Sequence, residues 1–116
     1  MDQKQNCLFC KIISGEIKSD KVYEDNDLIA FKDINPKGPV HILFVPKKHY
    51  ATLNDIPEKE LPLVAKIFSV IQKIAAESGV AQTGYRALIN TNRDSGQEVF
   101  HIHWHLIGGK KLGPMA

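Results

Sequence analysis

Leu28-Ile-Ala-Phe-Lys-Asp-Ile34, the link Asn35-Pro-Lys-Gly-Pro39, and His41-Ile-Leu-Phe-Val45 form the stretch that decides the fold. Two apolar, partly β-branched runs are joined by Asn, Pro and Gly, residues with turn chemistry, so they read as adjacent antiparallel strands. Upstream, Val22-Tyr-Glu24 is a short extended stretch before the turn Asp25-Asn-Asp27, and Leu8 to Ile13 reads as a short helix that Gly15 ends. Downstream, Leu61, Val64, Ile67, Phe68, Ile71, Ile74 and Ala75 recur at steps of three and four, which is one apolar helical stripe. Asp55 and Glu58 have capping-box spacing, yet Pro62 would remove a hydrogen bond inside a helix. A short turn is therefore expected first, then the main helix from about Pro62, with Gly79 as its stop. Gly84-Tyr-Arg-Ala-Leu-Ile-Asn90 and Phe100 to Ile107 read as two further strands around the loop Asn92-Arg-Asp-Ser-Gly-Gln97. The sum is an α+β chain: a single domain over residues 1–116, with a mainly antiparallel five-stranded meander sheet, one long helix and a short amino-terminal helix.

Length agrees, since 116 residues support one compact domain and not two ordinary ones. The formal net charge of +2 comes from 15 basic and 13 acidic residues spread along the chain, which is not the footprint of a duplex-DNA binder but leaves room for a small anion. No apolar run approaches the roughly 20 residues of a membrane span, and Met1-Asp-Gln-Lys-Gln-Asn6 lacks the apolar core of a secretion signal. A cytoplasmic protein is expected. In that reducing setting the single C-x-x-C, Cys7 and Cys10, suggests metal or redox chemistry more than a structural staple.

The densest chemistry lies in His101-Ile-His-Trp-His105. On an extended chain His101, His103 and His105 share one face, roughly 6.6 Å apart, while Ile102, Trp104 and Leu106 take the other. Three imidazoles on one face can chelate zinc with a coordination position left open, or can serve directly as nucleophile and acid. Periodicity does not separate these two, and a solvated strand without function is the third reading.

His101-Ile-His-Trp-His-Leu-Ile107 is similar to the signature His-φ-His-φ-His-φ-φ, φ apolar, of the histidine triad family. Cys7-Leu-Phe-Cys-Lys-Ile-Ile-Ser-Gly-Glu-Ile17, Phe31-Lys-Asp-Ile-Asn-Pro36, His41-Ile-Leu-Phe-Val-Pro-Lys-Lys-His49 and Gly96-Gln-Glu-Val-Phe100 resemble family segments in family order, so the likeness spans essentially the whole chain. It resembles most the Hint branch of purine nucleoside phosphoramidases. The resemblance implies a hydrolase in which His103 attacks the α-phosphorus of a nucleoside phosphoramidate, forms a nucleotidyl-histidine, and releases a nucleoside monophosphate such as AMP or GMP. Neutral imidazole is nucleophilic near neutral pH, so the step itself requires no cofactor. His105 matches the contact to phosphate and leaving group, while His101 and His41 match imidazoles that frame and orient the site.

The same resemblance assigns the nucleotide pocket. Asp33 would accept hydrogen bonds from both ribose hydroxyls, and Phe9, Ile12, Ile17, Phe31 and Ile34 would wall the base. Asn90 and the loop Gly96, Gln97, Glu98 and Val99 would contact phosphate together with His103 and His105. Taken without the family, Asp33 and Asn90 read as turn residues and the apolar set as core. Glu98 stands where animal Hint proteins carry serine, which places the leaving-group preference in question. Zinc-bearing relatives, including the galactose-phosphate uridylyltransferase branch, join such a cysteine pair to two histidines, here His49 and His101, which implies a structural zinc on Cys7, Cys10, His49 and His101. A redox dithiol and two inert thiols are the other readings of the pair. The resemblance also implies a two-fold homodimer through the long helix and the strand near Ala87 to Asn90. Rival functions are dinucleoside polyphosphate hydrolysis, a nucleotide-binding module with little turnover, and a zinc-dependent hydrolase using the three histidines as ligands.

Overall fold

A computed structural model describes residues 7–115; the polar amino-terminal stretch and Ala116 lie outside the described residues. In chain order the elements are α1 (Leu8–Ile13), β1 (Lys21–Glu24), β2 (Leu28–Lys32), β3 (Val40–Pro46), α2 (Leu61–Glu77), β4 (Tyr85–Ile89) and β5 (Trp104–Gly108). The five strands form one antiparallel sheet in the order β1-β2-β3-β5-β4. The chain meanders through β1, β2 and β3, crosses by α2 to the far edge as β4, and returns to fill the place beside β3.

The β2–β3 pair explains why its sequence shows no alternation. Leu28, Ala30, Ile42 and Phe44 face α2, while Ile29, Phe31, Leu43 and Val45 face α1. Central strands covered on both sides read as unbroken apolar runs. On α2, Ile67, Val70, Ile71, Ile74 and Ala75 are buried. Leu61 and Phe68, which the apolar stripe includes, remain 50% and 48% exposed. Pro62 sits in the first turn, where its missing N–H removes no helical bond. The capping box forms at Thr52 and Asp55, not at Asp55 and Glu58: Thr52 Oγ1 accepts from the Asn54 N–H at 3.1 Å, and Asp55 Oδ2 accepts from the Thr52 N–H at 3.0 Å. Pro57 explains the difference, because it holds Ile56 extended (ψ 118°) and prevents Asp55 from leading a continuous helix.

The strand expected from Phe100 pairs only from Trp104 onward. Just before it, the Ile102 N–H leaves the sheet ladder and donates to the Tyr50 carbonyl at 2.7 Å. Side-chain alternation nevertheless continues: Ile102, Trp104 and Leu106 pack in the core against α2, and the histidines point to the α1 side. No helix among the described residues is long and apolar enough to cross a membrane.

Candidate active site and metal centre

Sheet register assembles the site. Phe31 of β2 lies opposite Leu43 of β3, which lies opposite His105 of β5, so the three share the face that α1 only partly covers. The uncovered part is a cleft of about 890 Å³ whose walls include Phe9, Ile12, Ile17, Phe31, Asp33, Ile34, His41, Asn90, Gly96, Glu98, Val99, His103 and His105. Leu8 and Leu43 line it too, although sequence reading did not single them out. Leu43 was recoverable by counting alternate residues from His41 along β3.

His103 forms part of the floor, 8% exposed, with its ring centre 4.9 Å from that of Phe9 in a T-shaped contact. Its Nδ1 lies 2.8 Å from the His101 carbonyl, an atom that only accepts, so Nδ1 carries the proton and Nε2 keeps a lone pair. Burial holds the His103 pKa below the ordinary histidine range, against the opposing pull of the His101 carbonyl and Asp33. The imidazole is thus neutral, with its nucleophilic nitrogen defined by a single hydrogen bond.

A backbone amide fixes the other pair. The Lys37 N–H donates to His41 Nδ1 at 2.9 Å, which leaves the His41 proton on Nε2. The Nε2–H of His41 donates to His105 Nδ1 at 2.9 Å, while Asp33 Oδ2 lies 3.3 Å from the same nitrogen without a hydrogen bond to it. Burial lowers the His41 pKa. Burial, with the neighbouring His103 and His41, takes that of His105 down to about 4. With Nδ1 accepting, His105 carries its proton on Nε2, and this buried donor has no partner among the described residues. Lys37 therefore acts through its backbone, which explains why residue type gave no signal for it.

The loop after β4 is held in a demanding shape. Asn92 has φ 67° and ψ −173°, a region nearly restricted to glycine. Gln97 secures it: Oε1 accepts from the Asn92 N–H at 2.7 Å, and Nε2 donates to the carbonyls of Ala51 and Val99 at 2.8 and 3.0 Å. The Gln97 side chain is thereby occupied as a brace, and it is Gly96, Glu98 and Val99 that reach the cleft.

His101 turns away from the cleft. Its Nε2–H donates to the Pro46 carbonyl at 2.8 Å, leaving Nδ1 as a ligand atom. That Nδ1 lies 3.3 Å from Cys7 Sγ, 3.5 Å from Cys10 Sγ and 3.1 Å from His49 Nδ1, while Cys10 Sγ lies 3.3 Å from His49 Nδ1. All four donor atoms fall within 4.8 Å of one another. A tetrahedral ion with bonds of about 2.0 to 2.3 Å keeps its donors roughly 3.3 to 3.8 Å apart, so the set can hold a metal with little movement.

The HIT domain family model matches residues 14–112. A histidine triad protein from Clostridium difficile superposes with a TM-score of 0.93 at 53% identity, covering 100% of both chains. The chain belongs to the histidine triad family. Within it, the purine nucleoside phosphoramidase of Escherichia coli (strain K12) is 47% identical over 111 residues, 96% of this chain and 93% of the relative. A zinc-bound histidine triad protein from Mycobacterium smegmatis is 34% identical with a TM-score of 0.79, covering 92% of this chain and 77% of its own. The triad that names the family divides its labour here: His103 and His105 line the cleft, and His101 joins the cysteine cluster behind it.

Proposed function

We propose that this protein hydrolyses purine nucleoside phosphoramidates, or related nucleotide conjugates, at the α-phosphate. The observation that carries the reading is the His103 tautomer: Nδ1–H tied to the His101 carbonyl and a lone pair on Nε2 in a ring kept neutral by burial. Nε2 attacks phosphorus, the P–N bond to the leaving group breaks, and the amine departs with a proton drawn from solvent. Water then attacks phosphorus, the P–Nε2 bond breaks, and a nucleoside monophosphate is released. The Nε2–H of His105, without a partner among the described residues, donates to a phosphoryl oxygen as charge builds there. Asn90 and the backbone of Gly96, Glu98 and Val99, which line the cleft, contact the same phosphate.

Asp33 takes the ribose. Its Oδ1 accepts from the Asn35 N–H at 2.8 Å and its Oδ2 lies 3.3 Å from His41 Nε2, and a carboxylate with roughly four lone-pair sites still has capacity for two vicinal hydroxyls. Phe9, Ile12, Ile17, Phe31 and Ile34 wall the base, which area and stacking hold whether it is adenine or guanine. Cys7, Cys10, His49 and His101 bind a structural zinc, which supplies fixed positions for α1 and His101 and takes no part in the chemical step.

Incubation with an adenosine phosphoramidate is expected to release AMP and the free amine, at a rate insensitive to brief chelation while the fold persists. Tight AMP binding without turnover would favour a binding module, and immediate loss of turnover on chelation would favour a metal-dependent hydrolase. The proposal also includes a two-fold dimer, since β4 is an open sheet edge and Leu61 and Phe68 are half exposed on α2. Sedimentation is expected to give the mass of two chains; a single-chain mass at micromolar concentration would exclude it.

A further inference from the structure

The cleft extends past the residues assigned above, to Lys18, Ser19 and Asp20 on the segment between α1 and β1. Two backbone bonds seat this segment. The Ile17 N–H donates to Lys11 O of α1 at 3.1 Å, and the Lys32 N–H donates to Asp20 O at 3.0 Å, continuing the β1–β2 pairing beyond Lys21. Ser19 is thereby carried to the end of β2, on the side of Asp33 away from the histidines. His105 lies three strands away, roughly 14 Å at about 4.8 Å per strand. A nucleotide with its phosphate at His105 and its ribose at Asp33 directs its base toward Ser19.

Ser19 Oγ is shut off from water and has no hydrogen-bond partner among the described residues. A hydroxyl in that state has already lost its hydration in the free protein and no hydrogen bond holds its rotamer, so turning about Cα–Cβ to meet a ligand in the cleft gains a hydrogen bond without a further desolvation penalty. Around it the walls are Ile17 and Phe31, which offer area but no hydrogen bond. We infer that Ser19 is the polar anchor of the base subsite, its hydroxyl hydrogen-bonding the edge of the purine. Because a hydroxyl both donates and accepts, it serves an amino-bearing and an oxo-bearing purine alike, fixing the base's orientation without choosing between adenine and guanine.

Ser19 can play this part only if a nucleotide occupies the cleft as proposed above, and calorimetric titration separates the two claims. Wild type and Ser19→Ala are titrated with AMP, GMP and ribose 5-phosphate. The variant is expected to bind both nucleotides roughly 3- to 10-fold more weakly, the worth of one neutral hydrogen bond, and ribose 5-phosphate as wild type does. Its melting temperature is expected to stay level or rise slightly, since a buried unsatisfied hydroxyl is gone. Unchanged affinity for AMP and GMP, or an equal loss for ribose 5-phosphate, would overturn the role of Ser19. Failure of wild type to bind any of the three ligands would overturn the nucleotide reading itself, and the role of Ser19 with it.

Discussion

His103→Ala is expected to lower phosphoramidate turnover by roughly 10⁴-fold or more, with AMP affinity held within roughly tenfold of wild type. The asymmetry follows from what the side chain does. In the proposed mechanism its Nε2 forms the bond to phosphorus, whereas the base and ribose are assigned to Phe9, Ile12, Phe31 and Asp33, and Phe9, which packs against the His103 ring, is also held by Phe31. The one internal bond lost is from Nδ1–H to the His101 carbonyl at 2.8 Å. Steady-state kinetics beside calorimetry separates the two effects. A variant that loses turnover and AMP binding in equal measure would show His103 to be a binding residue, and a variant with wild-type turnover would require another nucleophile.

The second large effect concerns the cluster behind the triad. Protein purified without chelator is expected to hold about one zinc per chain, and Cys7→Ser with Cys10→Ser is expected to destabilise the fold by on the order of 3 kcal/mol or more. For a chain of this size that corresponds to a fall in melting temperature of roughly 10 °C. The loss stays below the full zinc-binding energy because Phe9 and Ile12 still pack α1 onto Ile29, Phe31 and Val45 without the ion. AMP affinity is expected to fall as well, since Phe9 lies between the two cysteines in sequence and also lines the cleft against His103. A metal content near zero, together with a melting temperature unchanged in the double variant, would reduce the pair to inert thiols.

The fold was largely legible because its signals are local. The hairpin's turn residues, the stripe from Val64 to Ala75 and the alternation around Trp104 each state one element without reference to the rest. The departures come from contacts distant in sequence. Tyr50 takes the Ile102 N–H and shortens β5, while Leu61 and Phe68 continue a helical period beyond the surface the sheet covers. In the site, residue types were informative where side chains build it, as with His103 at the cleft and the cysteines in the cluster. They were silent where the backbone acts. Nothing about lysine announces that the amide of Lys37 sets the His41 tautomer, and through it that of His105. The family resemblance also gave His101 two duties, and in the structure its imidazole joins Cys7, Cys10 and His49 while its carbonyl accepts from His103 Nδ1–H.

The most direct test of the covalent mechanism is the stereochemical course at phosphorus. An adenosine phosphoramidate made chiral with sulfur is hydrolysed in oxygen-18 water, and the configuration of the product is determined. Two successive in-line displacements, first by His103 and then by water, predict net retention. Net inversion would mean that water attacks the substrate directly, and would contradict the nucleotidyl-histidine.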